Sequence, residues 1–194
     1  MWAFLGVVVA AAATIGTAAA ENAAPLPRVR PTDAMARAAL DRGRRQSPTF
    51  ERLVEELERS RVIVHVETSL RLRPTIGGQF FFVTEGADGS RFLRIRLNAH
   101  AGAVDLTARL GHELQHAVEV ARTVVRDSAG MARLYRAIGS ELEPGVFDTA
   151  AAHDVEARVT TELLSRRVPV PAARGGWTAA RASCPAGWVT ALLW

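Results

Sequence analysis

Two histidines four residues apart, His112 and His116, with Glu113 directly after the first, are the side chains of this sequence best placed to do chemistry together. On a helix, positions i and i+4 lie on one face, one turn apart, so both imidazoles can reach a single ion about 2 Å from each ring nitrogen. Zinc suits such ligands, because it lowers the pKa of a bound water to near neutrality and polarises a carbonyl under attack. Glu113 points to one side of the same face, where it can take the proton of that water and pass it to a leaving amine. A catalytic zinc also wants a third protein ligand and an open fourth position. Downstream, Asp148, Glu156 and His153 are available, with Asp148 first among them and Glu156 second. The only cysteine, Cys184, lies near the C-terminus, so imidazole and carboxylate are the ligand types on offer and an internal disulfide framework is excluded.

These residues need a helix to hold them. From Asp105 to about Val125 the apolar residues recur with a helical period: Leu106, Leu110, Leu114, Ala117, Val118, Ala121 and Val125 form one stripe, and Asp105 is a plausible cap. At about 100° per residue, His112 and His116 fall opposite that stripe, which predicts a helix with its stripe on a core and its histidines in a cleft. Glu119 shares the histidines' angle, so it can orient a ligand imidazole from behind or contribute a ligand itself. Tyr135, the only tyrosine, follows the motif and is either a hydrogen-bond donor to a tetrahedral oxyanion or a core residue.

Around the motif helix the sequence predicts an α+β arrangement. Thr32 or Asp33 can cap a first helix through Met35, Ala38, Ala39 and Leu40. Ser47-Pro48 opens a second, with Glu51 near capping-box distance and Phe50, Leu53, Val54 and Leu57 on its apolar face. Three β-branched and aromatic runs follow, Val62–Val66, Gln79–Val83 and Arg91–Leu97, and the third alternates strictly between Phe92, Arg94, Arg96 and Leu93, Ile95, Leu97. The turn-forming cluster Glu85–Ser90 predicts a hairpin, and hence a small antiparallel sheet beside the motif helix. Arg94 and Arg96 either border a substrate cleft or carry solvated strand charge. A shorter helix is expected from Ser128 through Ile138, a break at Gly139, Pro144 and Gly145, and a last helix from about Asp148 to Arg166 that presents the third ligand. His65 in an apolar strand and His100 in a loop read as structural.

The remaining features bound what the chain can be. Its 194 residues fit one domain, which we expect over residues 33–168, after a linker at 21–32 and before a flexible tail at 169–194 that holds Trp177, Trp188 and Trp194. The net charge of +4 comes from arginine alone, with no lysine anywhere. Those arginines are dispersed, which argues against a nucleic-acid partner. Residues 1–20 are uncharged and apolar and end in small residues including Ala18 and Ala20, the pattern of a signal peptide cleaved before Glu21 or of an uncleaved membrane anchor. Either reading puts the folded part outside the cytoplasm, periplasmic or secreted.

The stretch from Leu110 to Ala121, the leader, Ser47-Pro48-Thr49-Phe50 and Val146–Ala151 together resemble a group of small secreted bacterial HExxH proteins of undefined activity, similar to gluzincin-type peptidases. The likeness spans about Leu26 to Leu164 and is most specific in the HELQHA segment. It implies a zincin-like fold and peptidase chemistry on a peptide or protein substrate. Asp148 stands where that group carries a glutamate, and Glu156 where it tends to have a small residue. Aspartate is one methylene shorter, so a ligand role there needs a closer approach of its element. The functional expectation is a zinc peptidase with Glu113 as general base and His112, His116 and Asp148 as ligands. The rival expectations are a non-catalytic zinc- or partner-binding envelope module of the same fold, and a structural helical domain without metal.

Overall fold

A computed structural model describes residues 26–143, 145–165 and 189–192, the last of these as backbone. The expected leader, Cys184, and the three tryptophans of the tail lie outside the described residues.

Proline-rich sequence ends in a short strand, β1 (Val29–Pro31), within the segment read as a linker. Helix α1 (Ala34–Gln46) begins where the Asp33 carboxylate accepts the amide of Ala36 at 2.9 Å, and α2 (Pro48–Glu58) where the Ser47 hydroxyl accepts that of Phe50 at 3.0 Å. Glu51 does not complete a capping box. It pairs instead with Arg44 of α1 at 3.0 Å, locking the corner between the two helices. Strands β2 (Val62–Ser69), β3 (Ile76–Glu85) and β4 (Arg91–Asn98) follow. Then come α3 (Ala103–Ala121), α4 (Ser128–Ile138), the two-stranded hairpin β5 (Ser140–Glu143) and β6 (Val146–Asp148), α5 (Ala150–Ser165), and β7 (Val189–Leu192).

The main sheet is mixed, not antiparallel as expected, with strand order β1-β2-β4-β3-β7. The expected β3–β4 hairpin is present and antiparallel, turning through Gly89 at φ 76°. It folds back so that β4 fills the slot beside β2, and that pair is parallel over its whole length, from Val62↔Arg91 to Ser69↔Asn98. Turn chemistry specifies the hairpin locally, whereas the β2–β4 pairing depends on where the 70–75 connection carries the chain. Val62, Val64, Val66, Phe80, Phe82, Leu93, Ile95 and Leu97 enter the core. On the other face Arg94 is exposed, and Arg96 pairs with Glu67 at 2.7 Å and stands over the Phe81 ring. The two arginines thus point away from the helices and border no cleft at the histidines.

Helix α3 departs from the expected two-faced pattern. Every residue from Leu106 to Val120 is buried, because α1, α2 and α5 join β2, β3 and β4 in packing around it. The histidine face is therefore covered, chiefly by α5. Asp105 sits in the first turn, and Gly102 is the cap position, without a side-chain hydrogen bond. At the other end Arg91 donates to the carbonyls of Val120 and Thr123, both at 2.7 Å, satisfying acceptors that the helix leaves unpaired. The long helix is thus fixed at its C-terminus by the strand that begins the hairpin's return.

Asp33 ties the first helix to the sheet, since its second oxygen accepts the Thr68 amide at 2.7 Å. Burial works to raise its pKa, but the amides of Ala36 and Thr68 together hold it below the usual carboxylate value. A depressed carboxylate contributes stability that is present above its unfolded pKa and lost as pH falls through the folded one. Asp33→Ala is accordingly expected to destabilise the fold by about 0.5–2 kcal/mol at neutral pH. In urea unfolding the difference from wild type should shrink below pH 3.8.

Candidate metal centre

The helix pitch brings His112 and His116 together, with ring centroids 5.0 Å apart and both residues wholly buried. Each ring is held from behind by a carboxylate. Nδ1 of His116 lies 2.9 Å from Glu119, one turn on, and Nδ1 of His112 lies 3.1 Å from Glu156 of α5. A proton on each Nδ1, donated to these carboxylates, leaves both Nε2 lone pairs aimed the other way. Glu119 is itself anchored, accepting the Thr149 hydroxyl at 2.8 Å, and Glu156 pairs with Arg109 at 3.0 Å.

The two Nε2 atoms face Asp148. Its Oδ1 is 3.2 Å from Nε2 of His112 and 3.5 Å from Nε2 of His116. Asp148 does not open the last helix as expected. It ends β6, whose partner β5 and the hydrogen bond from the Thr149 amide at 2.7 Å fix it, while the Thr149 hydroxyl accepts the Ala152 amide at 3.2 Å in the first turn of α5. Arrival from a strand brings the short aspartate close enough, without the longer reach of a glutamate.

His153, on the first turn of α5, approaches from the rim. Its Nε2 lies 3.0 Å from Oδ2 of Asp148, without hydrogen-bond alignment, and its side chain is 54% exposed. Ligand atoms of His112, Asp148 and His153 lie within 4.8 Å of one another, so that trio could hold a metal ion. A second trio shares His112 and Asp148 and takes the buried His116 in place of His153. Two of the three edges of that second trio, at 3.2 and 3.5 Å, are close to the ligand-to-ligand edge of about 3.3 Å that bonds near 2.0–2.1 Å give in a tetrahedron.

Glu113 is wholly buried against β3. A Cβ on Gly78 would fall on its Oε1, so only glycine leaves room for that carboxylate. Among the described residues neither Glu113 oxygen has a hydrogen-bond partner, and nor do Nε2 of His116 and Oδ2 of Asp148. Four buried polar atoms without a hydrogen bond in one place are rare, since an unmet buried group costs about 1–3 kcal/mol. Gly78→Ala is expected to push Glu113 aside, slowing any reaction it serves by about 10²-fold, as a misplacement near 1 Å can. Metal content, measured in parallel, should be unchanged.

Burial raises the pKa of Glu113, although His112, His116 and Arg109 oppose it, so this carboxylate is an unusually strong base for its type. Burial opposes charge on His116 too, but Asp148 and Glu119 outweigh it and lift its pKa to about 9. Asp148 is held far below the usual carboxylate range: burial works against this, and His112 and His116 prevail. Without metal, then, a proton on His116 answers the carboxylates. Zinc entering at Nε2 must displace it, so affinity should fall as pH drops below 9. Calorimetry at pH 7.5 in buffers of different ionisation enthalpy is expected to show about one proton released per zinc.

Tyr135 is not placed as an oxyanion donor. It is wholly buried, donates its hydroxyl to the His116 carbonyl at 3.0 Å and meets the His116 ring edge-on, so it braces the helix from the core. His65 lies on the outer sheet face, and His100 at a strand end with Nε2 3.3 Å from the Leu70 carbonyl. In the sequence Glu156 stands only as the second candidate for third ligand. Its position at Nδ1 of His112, and the Arg109 pairing behind it, depend on the α3–α5 contact. Their regular helical spacing carries no signal of that contact.

The described fold defines an α+β protein with a His/Asp cluster, buried at His112 and Asp148 and exposed at His153, that could hold a metal ion. No family model, curated protein or solved structure matches the chain.

Proposed function

We propose that this chain is an extracytoplasmic zinc-dependent peptidase of zincin-like fold. The observation that carries the reading is the meeting, in one buried place, of Nε2 of His112, Nε2 of His116 and the Asp148 carboxylate beside a glutamate with no hydrogen-bond partner among the described residues. His112, His116 and Asp148 would hold the zinc, with His153 at the rim. When bound, zinc supplies Lewis acidity, making a water acidic and a carbonyl electrophilic. Glu113 accepts a proton of the attacking water on its carboxylate and returns it to the departing amine nitrogen, so the peptide bond breaks and one water is consumed. Glu119 and Glu156 keep the two imidazoles in the ligating tautomer. The resemblance of Leu110–Ala121 to secreted HExxH proteins and the apolar leader support the same reading and its extracytoplasmic placing. If the leader is not cleaved, it also supplies membrane association. No helix among the described residues is long and apolar enough to cross a membrane.

One observation favours a non-catalytic zinc-binding module instead: His112, Glu113 and His116 have no exposed surface. The experiment that decides is equilibrium dialysis of the purified chain against zinc, followed by incubation with an unstructured protein such as casein. One zinc per chain with new peptide termini is the expected result, zinc without cleavage supports the module, and failure to bind zinc at micromolar metal removes both.

A further inference from the structure

The outer edge of β3 is the edge nearest Glu113. It is covered by the chain's own C-terminal strand. β7 pairs parallel to β3 through Ile76↔Val189, Gly78↔Thr190, Gln79↔Ala191 and Phe80↔Leu192. Its middle therefore lies one strand spacing, about 4.8 Å, from Gly78, the residue whose missing side chain makes room for the Glu113 carboxylate. β7 also runs close to β6, the strand that ends in Asp148. One extended segment thus spans from the proposed base to the proposed carboxylate ligand.

An open strand edge offers a row of unpaired amides and carbonyls, and an added peptide strand satisfies them whatever its sequence. Such an edge beside a hydrolytic centre is where a peptide substrate gains main-chain hydrogen bonds. We infer that Val189–Leu192 is a built-in occupant of a peptide-binding edge on β3, closing the site until it is displaced by an extended peptide. The inference rests on the peptidase reading for what the edge is used for, but the occupancy itself is a separate matter of strand pairing. The α5 side of the histidine face stays covered in either state, so displacement of β7 opens the site only from the β3 edge beside Glu113. Four residues at a sheet edge are a weak hold, so release is within reach of a competing peptide.

The test uses the full chain, zinc-loaded, beside a Val189→Pro/Thr190→Pro double variant. Adjacent strand amides point to opposite sides, so this pair removes whichever one faces β3. The expected result is faster hydrogen exchange, by about tenfold or more, at the amides of Ile76–Phe80 that face away from β4, while α3 amides keep their protection. A fluorescent peptide reproducing residues 186–194 should bind the variant about tenfold or more tighter than wild type, and casein cleavage should rise in step. Equal exchange and equal peptide binding overturn the inference. If both move while neither protein cleaves casein, the occupancy stands and the peptidase reading fails. Equal casein cleavage by both without a change in exchange has the reverse meaning. Should the variant fail to fold, the wild-type chain still decides, because fast exchange of those β3 amides overturns the pairing and slow exchange that peptide 186–194 leaves unchanged overturns its displacement.

Discussion

Glu113→Gln is expected to keep one zinc per chain and to hydrolyse unstructured peptide about 10²–10⁴-fold more slowly than wild type. The substitution is nearly isosteric, so the space opened by Gly78 and the packing against β3 remain filled. What it removes is the carboxylate, the only basic atom pair in the buried place without a hydrogen-bond partner among the described residues apart from Nε2 of His116 and Oδ2 of Asp148. An amide cannot accept the proton of the attacking water at neutral pH, and no neighbouring group replaces it: Asp148 is held far below the usual range by the two imidazoles, and Glu119 and Glu156 are engaged at their Nδ1 atoms. Stability should change little or rise, because burial of the charged form is unfavourable at this position. The decisive comparison is kcat against zinc content in the same preparation. Unchanged turnover with zinc bound would remove Glu113 from the chemistry, and indifference in a partner-binding assay is what the module reading requires.

How much of this centre could be read in advance follows from the range of each interaction. His112, His116 and Glu119 share a face by helix pitch alone, so the pairing of Glu119 with His116 is readable from spacing. The β3–β4 hairpin is readable from its Gly86-Ala87-Asp88-Gly89 turn cluster, and α1 and α2 from Asp33 and Ser47. The rest is long-range. The parallel β2–β4 pairing, the edge strands β1 and β7, and Glu156 behind His112 join residues tens of positions apart, and three- or four-residue strands have no period to detect. β6 is the instructive case. Asp148 precedes a run of alanines that reads as helix, yet Val146 and Phe147 are buried in a hairpin turning at Gly145, and the Thr149 hydroxyl accepts an amide of the first turn of α5. The residue was therefore nameable, but the element that presents it was not. The all-round burial of α3 was hidden for a similar reason. Amphipathic spacing marks one apolar face, and whether the polar face is also covered depends on partners elsewhere in the chain.

Asp148→Asn keeps volume and an acceptor for the Thr149 amide but loses the anionic oxygen that lies between the two Nε2 atoms. It is expected to abolish stoichiometric zinc binding at micromolar metal, as are His112→Ala and His116→Ala. In chelator the same Asp148→Asn change leaves the His116 imidazolium without its first partner, and removing one member of a buried ionic pair destabilises by about 3–5 kcal/mol. Glu119→Gln and Glu156→Gln act one step further out, on the orientation of a ring, so about 10–100-fold weaker zinc binding is expected with stoichiometry kept. The discriminating variant is His153→Ala. Its ring is half exposed at the rim, and its loss should leave one tightly held zinc if His112, His116 and Asp148 are the ligands. If zinc instead survives His116→Ala and is lost with His153→Ala, the ion sits in the outer trio, nearer solvent and further from the buried His116. In that position the His116 proton would not be displaced on binding, so proton release measured by calorimetry distinguishes the two trios independently of any variant.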